Sequence, residues 1–233
     1  IILLHGLMGG LSNFKHVIEF FSSKGYKVII PELPIYNLPL KQTTVKAFSD
    51  FLEKFIQYKN LNNVILLGNS LGGHIGLIFS NNNPNLVKSL VLTGSSGLYE
   101  NSMGESYPKR ENYEYIKKKT EEVFYDPKIA TKEIVDEVFE TVNNRDKLVR
   151  TLAIAKSAIR HNMSQELPHI LTPTLLIWGE NDLVTPPEVA TEFKLLLPNS
   201  ELKWIKKCGH APMMEYPNEF NRILFNWLKQ KKI

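Results

Sequence analysis

Short apolar runs alternate along this chain with longer segments whose apolar residues recur at helical spacing, and few architectures accept that alternation. Ile1-Ile2-Leu3-Leu4 reads as a buried strand. Phe14, Val17, Ile18 and Phe21 follow at helical spacing, with Ser12 as the expected N-cap and Gly25 as the stop. Lys27-Val28-Ile29-Ile30 reads as a second strand ended by Pro31, and Pro31, Pro34 and Pro39 mark an extended loop. Val45, Phe48, Phe51, Leu52, Phe55 and Ile56 restore the helical period. Val64 to Leu67 is a third strand, Leu71 to Asn81 a third helix, and Val87 to Thr93 a fourth strand. Strand and helix in strict alternation predict a mostly parallel sheet with helices on both faces, a three-layer αβα sandwich of the α/β class.

The rhythm breaks after Leu98. From there to Leu167 no strand run occurs, and helical spacing shows at Ile134, Val138, Phe139 and Val142, then at Leu148, Leu152, Ile154 and Ala155. Strands return at Thr174 to Trp178 and at Glu201 to Ile205, each followed by a helix, near Pro187 to Leu196 and Pro217 to Lys229. The expected organisation is therefore a core of residues 1–97 and 168–233, with residues 98–167 inserted as a helical cap over the carboxyl edge of the sheet. The triplet Lys117-Lys118-Lys119 reads as a solvated helix face.

Composition closes off other classes. With 233 residues, 43% hydrophobic and 22% charged, the chain can bury a core and is not disordered. A net charge of +4 without a basic stripe argues against nucleic acid. No apolar run reaches the roughly 18 residues of a membrane span. The single cysteine, Cys208, excludes a disulfide framework and a CxxC site, and it fits a reducing compartment, so the expected location is cytoplasmic. No His/Asp/Glu cluster has ligand spacing, so neither a metal nor a cofactor is expected. The oligomeric state is not legible.

Gly68-Asn69-Ser70-Leu71-Gly72 fits G-x-S-x-G between a buried run and a helix carrying Gly73 and Gly76. A serine on a sharp strand-to-helix turn needs small neighbours, and the turn lifts its hydroxyl clear of the sheet. A hydroxyl is a poor nucleophile until a base takes its proton. His210, in Lys207-Cys208-Gly209-His210-Ala211-Pro212, follows the last strand and can reach over the sheet edge. His74 lies behind the elbow; His16, His161 and His169 lack a strand-end context; His5 belongs to the first loop. A third group must orient the imidazole. Asp182, in Trp178-Gly179-Glu180-Asn181-Asp182, is the candidate, with Glu180 the near alternative; the earlier loop Thr93-Gly94-Ser95-Ser96 holds no carboxylate. Two oxyanion donors are expected from the backbone N–H groups of Leu71 and of Leu7, in His5-Gly6-Leu7-Met8-Gly9-Gly10. Cys208 reads as a packed apolar side chain.

These motifs, with Val184, Pro186 and Glu215-Tyr216-Pro217, resemble the α/β-hydrolase fold superfamily, in particular its serine esterase and carbon–carbon bond hydrolase branch with a helical cap. The resemblance covers nearly the whole chain. It implies two further strands ahead of the first, an N-terminal hairpin this chain is expected to be missing, which leaves Lys27 to Ile30 as an exposed edge. Hydrolases of dienoic ring-fission products typically carry a tryptophan soon after the histidine, where this chain has Ala211-Pro212-Met213-Met214. A serine at residue 70, rather than aspartate, argues against haloalkane dehalogenases and epoxide hydrolases.

The expected activity is hydrolysis of a carboxylic ester through a Ser70-His210-Asp182 triad and an acyl-enzyme, on a small-molecule acyl substrate. A thioesterase or carbon–carbon bond hydrolase would use the same triad, and a non-catalytic ligand receptor is the alternative of another class. The segment from residue 98 to 167 holds 12 Lys and Arg against 13 Asp and Glu, which indicates no funnel for anions. Its aromatic residues are Tyr99, Tyr107, Tyr113, Tyr115, Phe124, Tyr125 and Phe139; most are expected to pack and some to line an acyl pocket.

Overall fold

The computed structural model describes residues 1–101 and 109–233. In chain order the elements are β1 (Ile2–Leu4), α1 (Lys15–Ser23), α2 (Val45–Tyr58), β2 (Val64–Asn69), α3 (Leu71–Asn82) and β3 (Val87–Thr93). There follow α4 (Tyr113–Glu121), α5 (Lys132–Asn143), α6 (Arg145–Arg160), β4 (Thr174–Gly179), α7 (Pro187–Leu196), β5 (Ser200–Ile205), α8 (Pro212–Glu215) and α9 (Pro217–Gln230). The five strands form one parallel sheet in the order β1-β2-β3-β4-β5.

Both faces of this sheet are covered, which is why β1, β2 and β4, buried throughout, carry continuous apolar runs rather than alternating ones. Successive residues point to opposite faces. Leu66 and Leu176 join the cluster with Phe48 and Leu52 of α2, Ile75 and Phe79 of α3, and Phe193 of α7. Leu67 and Leu175 join the other, with Val17 and Phe21 of α1 and Phe220, Leu224 and Trp227 of α9. Burying a side chain of this size is worth about 1.5–3 kcal/mol, so two continuous apolar layers hold the sheet edge that carries the site loops. No helix among the described residues is long and apolar enough to cross a membrane.

Two local expectations are corrected. Lys27 to Ile30 is not a strand: Ile29 alone makes a bridge, its N–H donating to Ile1 O at 2.9 Å and its carbonyl accepting from Leu3 N at 2.9 Å. β1 is three residues long and offers one such parallel bridge, and Pro31 has no N–H to extend the ladder. Ser12 is not the N-cap of α1. Leu11 to Phe14 form a 3-10 turn, and α1 starts after Phe14 without a side-chain cap. By contrast Thr44 caps α2, accepting from Ala47 N.

The bridge at Ile29 lies on the outer side of β1, and α2 then returns the chain to β2 on the other side. The order thus reverses between β1 and β2, and a crevice opens at their carboxyl ends, where open α/β sheets hold ligands. Between β3 and β4 the described residues form helices and turns only. α2 and α6 touch, and Ile154 of α6 enters the α2–α3 cluster, so this helical block is packed on the core.

Where β1 meets α3 the backbones touch. A Cβ on Gly72 would fall inside contact distance of the Leu4 carbonyl, whereas one on Gly25 (φ +84) would meet no atom within 4 Å. Overpacking typically costs about 1–3 kcal/mol. In urea unfolding, Gly72→Ala is expected to lose about 3 kcal/mol, and Gly25→Ala about 1 kcal/mol from backbone strain alone; equal losses would contradict this packing.

Candidate active site

Ser70 is the single residue between β2 and α3, and it adopts φ 54, ψ −119. A left-handed φ on a non-glycine residue costs about 1–3 kcal/mol and persists only where its surroundings enforce it. Here they do. Ser70 N donates to Thr93 O at 3.1 Å, and Ser70 O accepts from Gly73 N, His74 N and Ser96 N at 3.0–3.2 Å. The preceding side chain, Asn69, donates to Thr93 O at 3.0 Å and to His210 O at 3.1 Å. That amide ties the elbow directly to the histidine loop.

Gly6, after β1, runs beside the elbow: a Cβ there would lie 3.3 Å from Ser70 Cβ. The next residue, Leu7, and the first residue of α3, Leu71, both line the cavity in front of Ser70. The Leu71 N–H belongs to the first helical turn and has no helical acceptor. Among the described residues neither that N–H nor the Leu7 N–H donates to a backbone carbonyl.

The loops after β4 and β5 lie against one another because Gly179 has no side chain; a Cβ there would overlap the carbonyls of Cys208 and Gly209. Asn181 N donates to Cys208 O at 2.9 Å. This contact brings Asp182, 2% exposed, to His210, 7% exposed. The imidazole Nδ1 lies 2.9 Å from Asp182 Oδ2 and 3.1 Å from Oδ1. The carboxylate is otherwise satisfied by Val184 N (2.8 Å), Thr185 N (2.9 Å) and the Thr185 hydroxyl (2.9 Å). The loop is anchored from below by buried Trp178, whose indole N–H donates to Thr185 O. Asp182 therefore meets the imidazole, while Glu180 is exposed.

Burial pulls the His210 pKa down, but the charge and hydrogen bond of Asp182, with Glu100 and Glu215 farther off, outweigh it and hold the imidazole above its ordinary 6.5. Ser70 and His210 line one cavity, whose apolar wall includes Leu7, Leu71, Phe124, Val138, Ile154 and Met214. Among the described residues no hydrogen bond joins the Ser70 hydroxyl to the His210 ring.

The helical block reaches this loop. His210 N donates to Val123 O at 2.9 Å. Glu215 of α8 accepts from Gly209 N at 2.6 Å through Oε1, and from Tyr125 N (2.8 Å) and Asp126 N (3.2 Å) through Oε2. Burial raises the Glu215 pKa against the pull of those N–H groups. One carboxylate thus fastens the turn after α4 to the loop carrying His210. Cys208 is buried beside it, and burial together with the Glu215 charge pushes its thiol far up, away from the nucleophilic thiolate.

The remaining histidines lie elsewhere. His5 is buried with Nδ1 against Gly6 O at 2.9 Å. His74 is fully buried, held at about 3 by burial and by His161, to which its Nε2 lies 3.0 Å from Nδ1. His16 pairs with Glu19, and His169 is exposed. Of the aromatic residues expected near a pocket, Phe124 lines the cavity, Tyr99 and Tyr125 are exposed, and Tyr115 and Phe139 pack around Ile116, Val138 and Val142. Tyr113 stacks edgewise on Phe139, and Tyr107 lies outside the described residues. Asn69, Thr185, Glu215 and the cavity residue Glu100 were not singled out from sequence for any role. Thr185, three residues after an acid in a turn, carried a local signal; the other three depend on tertiary contact.

Glu215→Ala leaves three N–H groups without their acceptor, and each such loss costs about 1–3 kcal/mol when buried. Urea unfolding is expected to show a loss of at least about 1 kcal/mol; a loss below about 0.5 kcal/mol would contradict the fastening role.

The family model described as "alpha/beta hydrolase fold" matches residues 1–158 and 139–217. The crystal structure of MGS-MChE2, an alpha/beta hydrolase enzyme from the metagenome of sediments of the Mar Chica lagoon in Morocco, is 53% identical. The match covers 100% of this chain and 91% of that one, with a TM-score of 0.82. A 2-hydroxy-6-oxononadienedioate/2-hydroxy-6-oxononatrienedioate hydrolase of a Pseudomonas species is 25% identical over 98% of this chain and 87% of its own. Lipase 1 of Psychrobacter immobilis is 27% identical over 94% of this chain and 73% of its own. The parallel sheet, the strained serine elbow and these matches agree: the chain is a hydrolase belonging to the alpha/beta hydrolase fold family.

Proposed function

We propose that the protein hydrolyses small carboxylic esters through an acyl-enzyme on Ser70. The observation that carries this reading is the meeting, at one cavity, of a serine on a strained elbow and an imidazole backed by a buried carboxylate. In this mechanism His210 Nε2 takes the Ser70 proton as the hydroxyl oxygen attacks the ester carbonyl. The N–H groups of Leu7 and Leu71 hold the oxyanion of the tetrahedral intermediate. His210 then protonates the departing alcohol. A water, deprotonated by His210, attacks the acyl group, and the acid leaves as Ser70 recovers its proton. Asp182 keeps Nδ1 protonated and stabilises the imidazolium. The hydrogen bond from the Ser70 hydroxyl to His210 forms when substrate fills the cavity, because catalytic hydrogen bonds commonly close only in the bound complex. The described helices between β3 and β4 serve as the cap that shapes the acyl pocket.

A carbon–carbon bond hydrolase could use the same three residues. The Pseudomonas relative is named for dioates, which carry two carboxylates. In this cavity the one cation among the described lining residues, Lys119, is engaged by Glu122 at 2.7 Å. The position after His210 is Ala211, a small residue. The engaged lysine favours a less charged ester.

Three outcomes test the reading. Ser70→Ala is expected to abolish hydrolysis of p-nitrophenyl hexanoate while the fold, followed by circular dichroism, persists; retained turnover would refute Ser70 as the nucleophile. The base must be neutral, and its folded pKa is raised, so kcat/KM is expected to fall as pH drops through a value above 6.5. The same sign means that the His210–Asp182 ion pair adds stability below pH 6.5, which fades as pH rises through the raised pKa. Asp182→Asn removes the charge that raises the pKa, so the acid limb should move downward as turnover falls by orders of magnitude; an unmoved limb would contradict the pairing.

A further inference from the structure

We propose that Glu100 sets the charge selectivity of the cavity, disfavouring esters whose acyl chain carries a carboxylate and favouring those that carry an ammonium group. This deepens the ester reading and rests on it for the identity of the reaction. Glu100 lies in the loop after β3 and lines the same cavity as Ser70 and His210. Its position is fixed from two sides. Ser96 donates its hydroxyl to Glu100 Oε2 at 2.6 Å, and Ser96 N donates to Ser70 O at 3.1 Å, so one residue links this carboxylate to the elbow. The next residue, Asn101, is clamped to the loop bearing Asp182, its N–H donating to Val184 O at 2.7 Å and its amide to Leu183 O at 2.9 Å.

The charge of Glu100 is not cancelled. Among the described residues no Lys, Arg or His forms an ion pair with it, and residues 102–108 contain none of these three types. Lys119, the cation in the wall, is held by Glu122. The field of Glu100 reaches the catalytic imidazole, where it contributes to the raised pKa. A fixed carboxylate in a mostly apolar cavity interacts more strongly with a ligand charge than it would in water, and like charges brought together across such a site are strongly disfavoured.

The test compares p-nitrophenyl esters of hexanoic acid, of adipic acid with its second carboxyl free, and of 6-aminohexanoic acid, at pH 8.5. The readout is the ratio of kcat/KM between esters within each protein, so any general loss in a variant cancels. The unaltered enzyme is expected to prefer the neutral ester over the adipate ester by at least about tenfold. Glu100→Gln should shrink that preference about tenfold and lower the aminohexanoate-to-hexanoate ratio. A preference below threefold in the unaltered enzyme, or ratios unchanged in Glu100→Gln, would overturn the proposal. Binding separates this from the reaction itself. Hexylammonium is expected to bind the unaltered protein at least tenfold more tightly than hexanoate by titration calorimetry. That preference without turnover of any ester would sink the ester reading alone; equal binding would sink the charge selectivity.

Discussion

A carboxylate buried to 2% exposure must be satisfied on every side, and the arrangement that satisfies Asp182 organises the whole rim of the sheet. Two backbone N–H groups and the Thr185 hydroxyl hold it from its own loop, and the His210 ring completes the set from the next. Losing one of these partners leaves a charge in a poor solvent. The loops after β4 and β5 are therefore bound to one relative position, and Gly179 makes that position reachable. The apolar layers on the two sheet faces supply the rigidity against which this polar cluster is set.

The second device is the fastening of the helical block to the histidine loop. The Val123 carbonyl, Glu215 and the N–H groups of Tyr125 and Asp126 form a short polar seam running from the end of α4 to residues next to His210. Residues that wall the cavity and residues that carry the imidazole thus share hydrogen bonds. These contacts join the helical block to the loop bearing the imidazole without involving the sheet.

Much of this was legible in the amino-acid sequence, for identifiable reasons. Strands covered on both faces are largely apolar, so Val64 to Leu67 and Leu90 to Leu92 announce themselves. Ser70, Asp182 and His210 each sit at the end of such a run, where a loop at the carboxyl edge begins. What was not legible depends on partners distant in sequence. Ile29 makes only a bridge because its neighbour β1 is short. Ser12 looked like a cap but lies inside a 3-10 turn. Asn69 occupies a variable position of the elbow motif, and nothing local says that its amide reaches His210 O across 141 residues. Glu100 stands too far past Thr93 for the loop to advertise it, and only the fold turns it into the cavity.

The account stands on Ser70 being made reactive by His210. Treatment of the folded protein with a fluorophosphonate, followed by peptide mapping, addresses that directly. The expected result is a single phosphonyl adduct on Ser70, forming at least about 100-fold more slowly in a His210→Ala variant that keeps its fold, in line with the scale of a positioned base. An adduct on another residue, or an equal rate without the imidazole, would contradict it.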